Sequence, residues 1–413
     1  MILEKPDSGA RAAQALLDQQ LVADELNSEQ MTLNMGPSHP STHGVLRLIL
    51  DLDGEIITRA TPDIGYLHRG MEKIAENTHY NQFVPFTDRF DYLSPISNNI
   101  AYSLAVEKLL GWELPARGKA IRVLACELSR ISSHLVGIGC TGMDLGATTL
   151  FLYAFTEREK LHNIFEMLSG ARFTTSYTRI GGHRNDINAE TLAAIAEFIK
   201  TFKPAFVEMD KLITRNRIFI ERCEGVGIIT REDAIAWGLS GPNLRASGVE
   251  RDLRRAQPYL DYEKYDFDIA VGASGDAYDR FLVRMQEVRE SVRIVEQILA
   301  DMPSGPHSCD EQKMLPPKEE VLENMEQLAR HFMLVTEGIP APEGEIYFGA
   351  ENPKGELGFH IVSHGGGVPY RMKIRGPSFA HLSILPKILP GCPLSDAVSI
   401  LASLDFVMGE CDR

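Results

Sequence analysis

The chain has 413 residues, of which 44% are hydrophobic and 24% are charged. This is the composition of an ordinary globular protein, and it excludes disordered, collagen-like and coiled-coil chains. The formal net charge of −15 argues against nucleic acid as a partner, because an acidic surface repels phosphate groups.

Residues 1–30 are predicted to be a mobile N-terminal arm, since the first 29 residues carry six acidic and two basic side chains. They contain no basic segment followed by an apolar one, as a secretory signal would, so we expect a cytoplasmic protein. The six cysteines include no CxxC pair, and we expect them to be reduced and mostly buried.

Residues 31–62 are predicted to be an N-terminal β segment, because two β-rich runs flank a hairpin turn at Asp53-Gly54. After them the apolar residues recur with the period of a helix. The predicted helices are Pro95–Leu110, Lys119–Ile138, Thr149–Leu168, Ala189–Ile213, Asp276–Met302 and Glu319–Gly338. Several are apolar on more than one face, which is typical of a bundle whose helices are buried on several sides.

Residues 63–340 are therefore the predicted helical core. A loop-rich stretch at residues 223–275 is predicted to be an excursion from the bundle, with arginines that could meet a partner. Residues 341–413 are predicted to be a C-terminal β segment with a glycine-rich hairpin tip, followed by a short helix and an acidic tail. The fold class is mainly α with an α+β periphery, a long-helix bundle with N-terminal and C-terminal β segments.

One apolar stretch has nearly the length of a membrane span. The 22 residues from Leu135 to Thr156 contain a single charge, Asp144, and a span needs about 20 apolar residues. Three glycines fall within eight of its residues, from Gly139 to Gly146, and its flanks continue as amphipathic helices, so we predict a buried helix–loop–helix. The acid in it either caps a helix or pairs with a cation or an imidazolium.

Two imidazoles, His39 and His43, lie in the Gly- and Pro-rich segment Met35–Gly44. Their spacing would suit a zinc site on a helix, but the prolines and glycines around them prevent a helix. The loop either presents polar groups to a ligand, as the lip of a binding site, or carries two solvated histidines beside turns capped by Ser41 and Thr42. Composition favours the second interpretation and leaves the first open.

A second polar cluster, Thr87–Ser94, holds two carboxylates, a guanidinium and a phenol directly before a predicted helix. Asp91 or Ser94 could be the N-cap of that helix, and Asp88–Arg89 could be a surface ion pair. Composition does not decide between these structural roles and a chemical one.

Together these segments resemble a known family, the quinone-site catalytic subunit of respiratory complex I, the proton-translocating NADH:quinone oxidoreductase, which is the D subunit in bacteria. The resemblance extends from Met31 to Arg413. The strings that carry it are MGPSHPSTHGVLRL, IGYLHRGMEKIAE, DRFDYLS, ELSRISSHLVGIG, MDLGATTLFLYAFTERE, LRASGV, YDRFLVRMQEVRESV, KGELGFHIVS, RMKIRGPSF and SLDFVMGECDR.

That family is similar in fold to the large subunit of nickel–iron hydrogenases, which binds nickel through two CxxC pairs. At the corresponding positions this chain has Asp91 and Ser94, and Val407 and Glu410. Low-valent nickel prefers thiolate ligands. The resemblance therefore implies no metal site and no hydrogenase activity, and it implies a quinone cavity in place of the nickel site.

The same resemblance implies a set of catalytic residues. His43 and Tyr92 would donate hydrogen bonds to the two carbonyl oxygens of a quinone, and Asp144 would pair with His43. Donors at these oxygens stabilise the reduced quinone and can deliver protons to it. His39 would lie beside the same cavity. The quinone is the substrate, and no covalently bound cofactor is expected.

Electrons would arrive from a tetranuclear iron–sulfur cluster in the small neighbouring subunit. The resemblance places Arg69 and Arg89 in the quinone cavity or near that cluster, although either could form an ordinary interface ion pair. The expected partners are the other peripheral-arm subunits, above all the small iron–sulfur subunit, and the membrane-arm subunits. NADH would reach only partners. The expected location is the cytoplasmic side of the bacterial inner membrane, as a peripheral protein.

Two positions depart from the family pattern. Many members have a titrating histidine near Thr174, and threonine cannot titrate, which implies either a pH-insensitive cluster or one tuned for a low-potential quinone such as menaquinone. Asp405-Phe406 replaces the commoner Asp-Pro and loosens one turn. Two alternatives stay open, namely the same site in a relative driven by ferredoxin or another donor, and a scaffold subunit without a redox role.

Overall fold

The computed structural model describes residues 30–309 and 315–413, so the prediction of a mobile N-terminal arm lies outside the described residues. Helices dominate the described chain, and three small antiparallel sheets lie at its periphery. The predicted fold class, mainly α with an α+β periphery, is confirmed. The division of the chain into four parts stays a prediction.

The strands form sheets in the order β1-β2-β3, β4-β5 and β6-β7-β8. Along β2 buried leucines alternate with partly exposed residues, as one buried face requires, and β2 and β3 are joined at Gly54, where φ is +58°. The strands are β1 Gln30–Met35, β2 Arg47–Asp53, β3 Ile56–Asp63, β4 Thr178–Arg179, β5 Gly182–His183, β6 Ala341–Asn352, β7 Gly355–Gly366 and β8 Arg371–Arg375.

The helices of the described residues are α1 Met71–Ala75, α2 Tyr80–Thr87, α3 Pro95–Leu110, α4 Ala116–Asp144, α5 Thr148–Ser169, α6 Ala189–Ile213, α7 Arg217–Cys223, α8 Arg231–Ala236, α9 Pro242–Ala246, α10 Leu253–Ala256, α11 Ala277–Ala300, α12 Lys318–Glu323, α13 Met325–Thr336, α14 Pro377–Ser383, α15 Leu385–Ile388, α16 Leu394–Leu404 and α17 Met408–Asp412. The long helices α3, α4, α5, α6 and α11 pack into the predicted bundle around one large apolar core.

The apolar stretch around Asp144 is a helix–loop–helix, as predicted. Helix α4 continues beyond Ile138 as far as Asp144, and α5 begins after a short loop, at Thr148. Glycine permits the close packing of the two helices, because a Cβ atom at Gly142 would lie 2.7 Å from the side chain of Leu150. No helix in the described ranges is both long and apolar enough to cross a membrane.

The loop-rich stretch contributes to the interior, and the prediction that its arginines meet a partner is wrong for two of them. Arg245 and Arg254 are buried. Arg245 donates hydrogen bonds to Glu287 and Glu351 at 2.7 Å each, and Arg254 donates to Asp252 at 2.7 Å. Buried guanidinium groups require such partners, so this stretch is anchored to α11 and β6.

The predicted acidic tail is buried. Residues 382–411 share an apolar core with the N-terminal sheet, and the side chains of Glu410 and Asp412 are buried. Asp412 accepts hydrogen bonds from the backbone N–H groups of Gly65 and Leu67 at 2.9 and 2.7 Å. The two ends of the described chain are thereby held together beside the helical bundle.

Candidate functional site

A cavity of about 190 Å³ lies between the loop before β2, the turn after α2, the C-terminal half of α4 and the segment that joins α16 to α17. Its wall is mostly apolar, with an imidazole, a phenol and a carboxylate among the lining groups. The lining residues are His43, Tyr92, Leu93, Val136, Gly137, Cys140, Leu401, Ala402, Asp405, Phe406 and Val407.

Hydrogen bonds within its own loop fix the position of His43. The hydroxyl of Thr42 donates to the carbonyl oxygens of His39 and Gly44 at 2.7 and 3.2 Å. The backbone of His43 is left-handed, with φ at +50°, a costly conformation for a residue with a side chain. Glycine is required at Gly36, where a Cβ atom would lie 2.1 Å from a backbone oxygen. The loop is a rigid lip that aims one imidazole inward.

His39 does not line this cavity. It is exposed, and its Nδ1 accepts a hydrogen bond from the backbone N–H of Ser41 at 3.2 Å. The interpretation of two solvated histidines therefore holds for His39 and is wrong for His43. The two rings serve different purposes, one capping the loop and one entering the cavity.

The Nε2 atom of His43 lies 2.8 Å from Oδ2 of Asp144, and both side chains are mostly buried. Neither atom has an aligned hydrogen bond to another group of the described chain, so the imidazole and the carboxyl group face each other directly. Asp144 is the last residue of α4, and the first turn of α5 has no side-chain cap. The interpretation of Asp144 as an N-cap is therefore wrong.

Tyr92 approaches the cavity from the turn between α2 and α3. Burial, and then the charge of Asp91, raise the pKa of its phenol. Its ring lies against Phe173, with 6.3 Å between the ring centroids, and glycine at Gly409 allows the C-terminal segment to pack against the backbone of residues 89 and 90. The phenol is thus held in place and stays protonated over the physiological pH range.

Three of the four positions that the resemblance aligns with hydrogenase cysteines, namely Asp91, Ser94 and Glu410, form a buried polar cluster beside the cavity, and the fourth is the apolar Val407. The hydroxyl of Ser94 donates to Asp91 at 2.6 Å, and that of Ser378 donates to Glu410 at 2.6 Å. Burial raises the pKa of Asp91, and burial followed by the charge of Asp91 raises the pKa of Glu410 to about 7. Ser94 makes no capping hydrogen bond to α3, and buried carboxyl and hydroxyl groups replace the thiolates that nickel would need.

Asp88 does form an ion pair with Arg89, with 3.9 Å between Oδ2 and Nη1, but Asp88 does not lie at the surface. It is buried, it accepts a hydrogen bond from Asn99 at 2.8 Å, and it binds the hydroxyl of Ser176. Asp88 therefore fastens the loop that carries Phe173 and Thr174 to the start of the Tyr92 turn. Thr174 itself is exposed.

Sequence reasoning missed a buried cation that pairs with Asp405, the carboxylate in the cavity wall. The Nζ atom of Lys354 lies 2.5 Å from Oδ2 of Asp405, and the guanidinium of Arg284 lies 3.4 Å from the same oxygen. Burial raises the pKa of Asp405, but these two cations outweigh it and hold the pKa below its usual value. Lys354 belongs to a hairpin turn, where lysine is normally solvated. No local pattern identifies it as a site residue.

Arg69 and Arg89 lie together outside the cavity, where both are exposed. The Nη2 atom of Arg69 donates to the backbone oxygen of Arg89 at 2.8 Å. Partial burial, and then the charge of Arg89, lower the pKa of Arg69. The two arginines form a positive patch, and Arg89 precedes Tyr92 by three residues in the sequence.

The sequence is similar to those of known proteins over most of its length. Residues 144–413 match the family described as respiratory-chain NADH dehydrogenase, 49 Kd subunit. The chain belongs to this family. It is 59% identical to the NADH-quinone oxidoreductase D subunit of Methylacidiphilum infernorum over 412 residues, covering 100% of this chain and 98% of that protein. The D subunit of the same enzyme in Akkermansia muciniphila is 59% identical, with 93% of each chain covered. Its counterpart in Citrifermentans bemidjiense is 52% identical, with 94% of this chain and 100% of that protein covered.

The predicted membership of the D-subunit family of respiratory NADH:quinone oxidoreductases is therefore confirmed. With it, the chain is one subunit of a larger oxidoreductase whose substrate is a quinone. Of the three residues that the resemblance selected for catalysis, His43 and Tyr92 line the cavity, and Asp144 lies outside its lining in contact with His43. Their chemical roles stay predictions.

Proposed function

We propose that this chain forms the quinone-reducing site of a proton-translocating NADH:quinone oxidoreductase, and that the quinone headgroup occupies the cavity between His43 and Tyr92. The observation that carries the proposal is that an imidazole and a phenol, 49 positions apart in the sequence, line one small, largely apolar cavity. A flat apolar ring with two polar oxygens has the complementary chemistry.

The imidazole has one nitrogen available to a ligand. Because Nε2 faces Asp144 at 2.8 Å, Nδ1 is the nitrogen that would donate to one carbonyl oxygen. The hydroxyl of Tyr92 would donate to the second oxygen. Both hydrogen bonds would become stronger as negative charge develops on the quinone oxygens.

Reduction of the quinone to the quinol consumes two electrons and two protons. One proton would come from the imidazolium of His43 and one from the phenol of Tyr92. The raised pKa of Tyr92 disfavours the phenolate, so the phenol would regain its proton rapidly. Loss of the imidazolium proton leaves Asp144 as an unneutralised charge at the end of α4, which would signal the reduction to the rest of the molecule.

The electrons would come from an iron–sulfur cluster of the small neighbouring subunit. The positive patch of Arg69 and Arg89 is suited to that contact, because nearby cations stabilise a reduced, more negative cluster. In this arrangement the chain is peripheral to the membrane on its cytoplasmic side and is held there by its partners. Thr174, which cannot titrate, favours menaquinone as the quinone. Extraction of the native quinone from the purified complex tests that choice.

The Tyr92→Phe variant tests the proposed site, since it removes one donor and almost no volume. Quinone reductase activity of the assembled complex should fall strongly, while NADH still reduces the clusters. Tyr370→Phe is the matched control, because Tyr370 is exposed and does not line the cavity. Unchanged turnover and quinone KM in Tyr92→Phe would refute the assignment.

A further inference from the structure

Helix α13 is inverted relative to the usual amphipathic pattern. Its partly buried positions are Gln327, Arg330, His331 and Leu334, of which three are polar. Its outer face is apolar and consists of side chains that are between 45% and 84% exposed, namely Met325, Leu328, Phe332, Met333 and Val335. Neither α12 nor α13 has any buried residue. The outer face of α13 extends onto α12 through Leu322, which is also exposed.

An exposed apolar stripe of this kind is unstable in water without a partner. A helix normally turns its apolar residues toward the core, and contiguous apolar patches on soluble proteins mark interaction sites. Leu334 packs against the main core, so α13 is attached to the body and its orientation is set. No residue of the described ranges covers the apolar outer face.

Charge around the outer face of α13 restricts what can cover it. The exposed acids along α12 and α13 are Glu319, Glu320, Glu323, Glu326 and Glu337. The basic residues of the same segment are Lys318 and Arg330. The rim is thus acidic, and it attracts a basic surface and repels an acidic one.

This acidity rules against three occupants. Membrane-surface helices carry Lys and Arg beside their apolar face because lipid headgroups are anionic, and this rim has the opposite sign. A second copy of the chain would bring the same acidic rim against itself across a twofold axis. Residues 1–29 of the chain carry six acids and two bases, so they are repelled as well.

We propose that the outer face of α13 is the docking surface for a neighbouring protein whose apolar contact patch is bordered by Lys and Arg. Phe332 and Met325 are the central anchors, as large apolar side chains usually are in interfaces. The glutamates of the rim orient the partner. This inference stands apart from the quinone site and does not depend on it.

A photo-crosslinking amino acid at position 333 of the assembled complex tests the occupant. The expected result is a crosslink to one neighbouring subunit, within an apolar segment that mass spectrometry shows to be flanked by Lys or Arg. A crosslink to lipid, to a second copy, to residues 1–29 or to an acidic segment would overturn the proposal. The absence of any crosslink would also overturn it.

Two variants test the energetics. Phe332→Ser should weaken assembly of the complex by about tenfold, the loss expected from removal of one interface anchor. Changing Glu320, Glu323 and Glu326 together to Lys should weaken it comparably. The matched control changes Glu166, Glu197 and Glu221 to Lys, since these are exposed acids on α5, α6 and α7.

In the isolated chain, the thermal unfolding temperature of Phe332→Ser should equal that of the wild type, because the side chain is exposed. Equal yields of assembled complex for the wild type, Phe332→Ser and the triple Lys variant would overturn the proposal. Equal losses in the control and in the triple Lys variant would show a nonspecific charge effect and would overturn it as well.

Discussion

Glu410→Gln should change how the stability of the protein depends on pH. The carboxyl group of Glu410 is buried. Its Oε2 accepts hydrogen bonds from the hydroxyl and the backbone N–H of Ser378, and its Oε1 has no partner in the described chain. Burial, and then the charge of Asp91, raise its pKa from 4.5 to about 7. Glutamine resembles the protonated carboxyl and cannot ionise.

The sign follows from proton binding. Between pH 4.5 and pH 7 the folded protein keeps the proton of Glu410 and the unfolded chain has lost it, so rising pH favours unfolding. The stabilising contribution of the protonated group is full below pH 4.5 and is lost as the pH rises through 7. At about 1.4 kcal/mol for each pKa unit, the loss amounts to about 3 kcal/mol.

Urea unfolding of the purified chain between pH 4 and pH 8 measures this effect. The free energy of unfolding of Glu410→Gln minus that of the wild type should rise by about 3 kcal/mol across the window. Glu221→Gln, at an exposed position paired with Arg217, should show no such rise. Asp91→Asn should lower the pKa of Glu410 in the folded protein, because it removes a charge that raises this pKa. The pH range over which Glu410 destabilises the wild type should then become narrower. A pH-independent difference for Glu410→Gln would refute the reasoning.

Two further substitutions test the cavity. Asp144→Asn keeps the size of the side chain but removes the carboxylate that lies 2.8 Å from Nε2 of His43, so kcat for quinone reduction should fall while the complex still assembles. An unchanged kcat would show that this contact does not support the reaction. Gly137→Ala would place a Cβ atom 2.8 Å from Oδ2 of Asp405, so the quinone KM should rise several-fold. The control Gly344→Ala, whose Cβ atom meets no atom closer than 3.9 Å, should leave the quinone KM unchanged. An unaltered KM in Gly137→Ala would show that Asp405 does not shape the cavity.

Local signals predicted much of the fold. Helices α3 and α6 have the bounds that were predicted from the sequence. Proline begins α3 and Gly111 ends it in the left-handed conformation, while the side chain of Asn188 caps α6. Such signals lie within a few residues of the helix end, so the sequence displays them directly.

Two kinds of prediction were wrong. Two arginines that were predicted to be available to a partner are buried, and one predicted helix is interrupted. The predicted helix Glu319–Gly338 is two helices, because Asn324 has an extended backbone and its side chain caps the second. Hydrophobic periodicity continues across this break, so the periodicity alone does not reveal where the first helix ends. The sequence also gives no sign that Arg245 and Arg254 are buried, since several of their partners come from distant parts of the chain.

The candidate site was predictable only in part. The pairing of His43 with Asp144 followed from family resemblance, and the lone charge in an apolar stretch singled out one partner. The contribution of Lys354 did not follow from any pattern, because a lysine in a hairpin turn is ordinarily solvated. Its burial depends on Asp405, which is 51 positions away and lies beside it only in the folded chain.

The location of the quinone headgroup tests the central claim most directly. The measurement is a structure of the assembled complex with its native quinone bound. We expect one carbonyl oxygen within hydrogen-bonding distance of Tyr92 Oη and the other within that distance of His43 Nδ1. A headgroup that is bound and reduced elsewhere, with Tyr92 and His43 contacting only protein or water, would contradict the account.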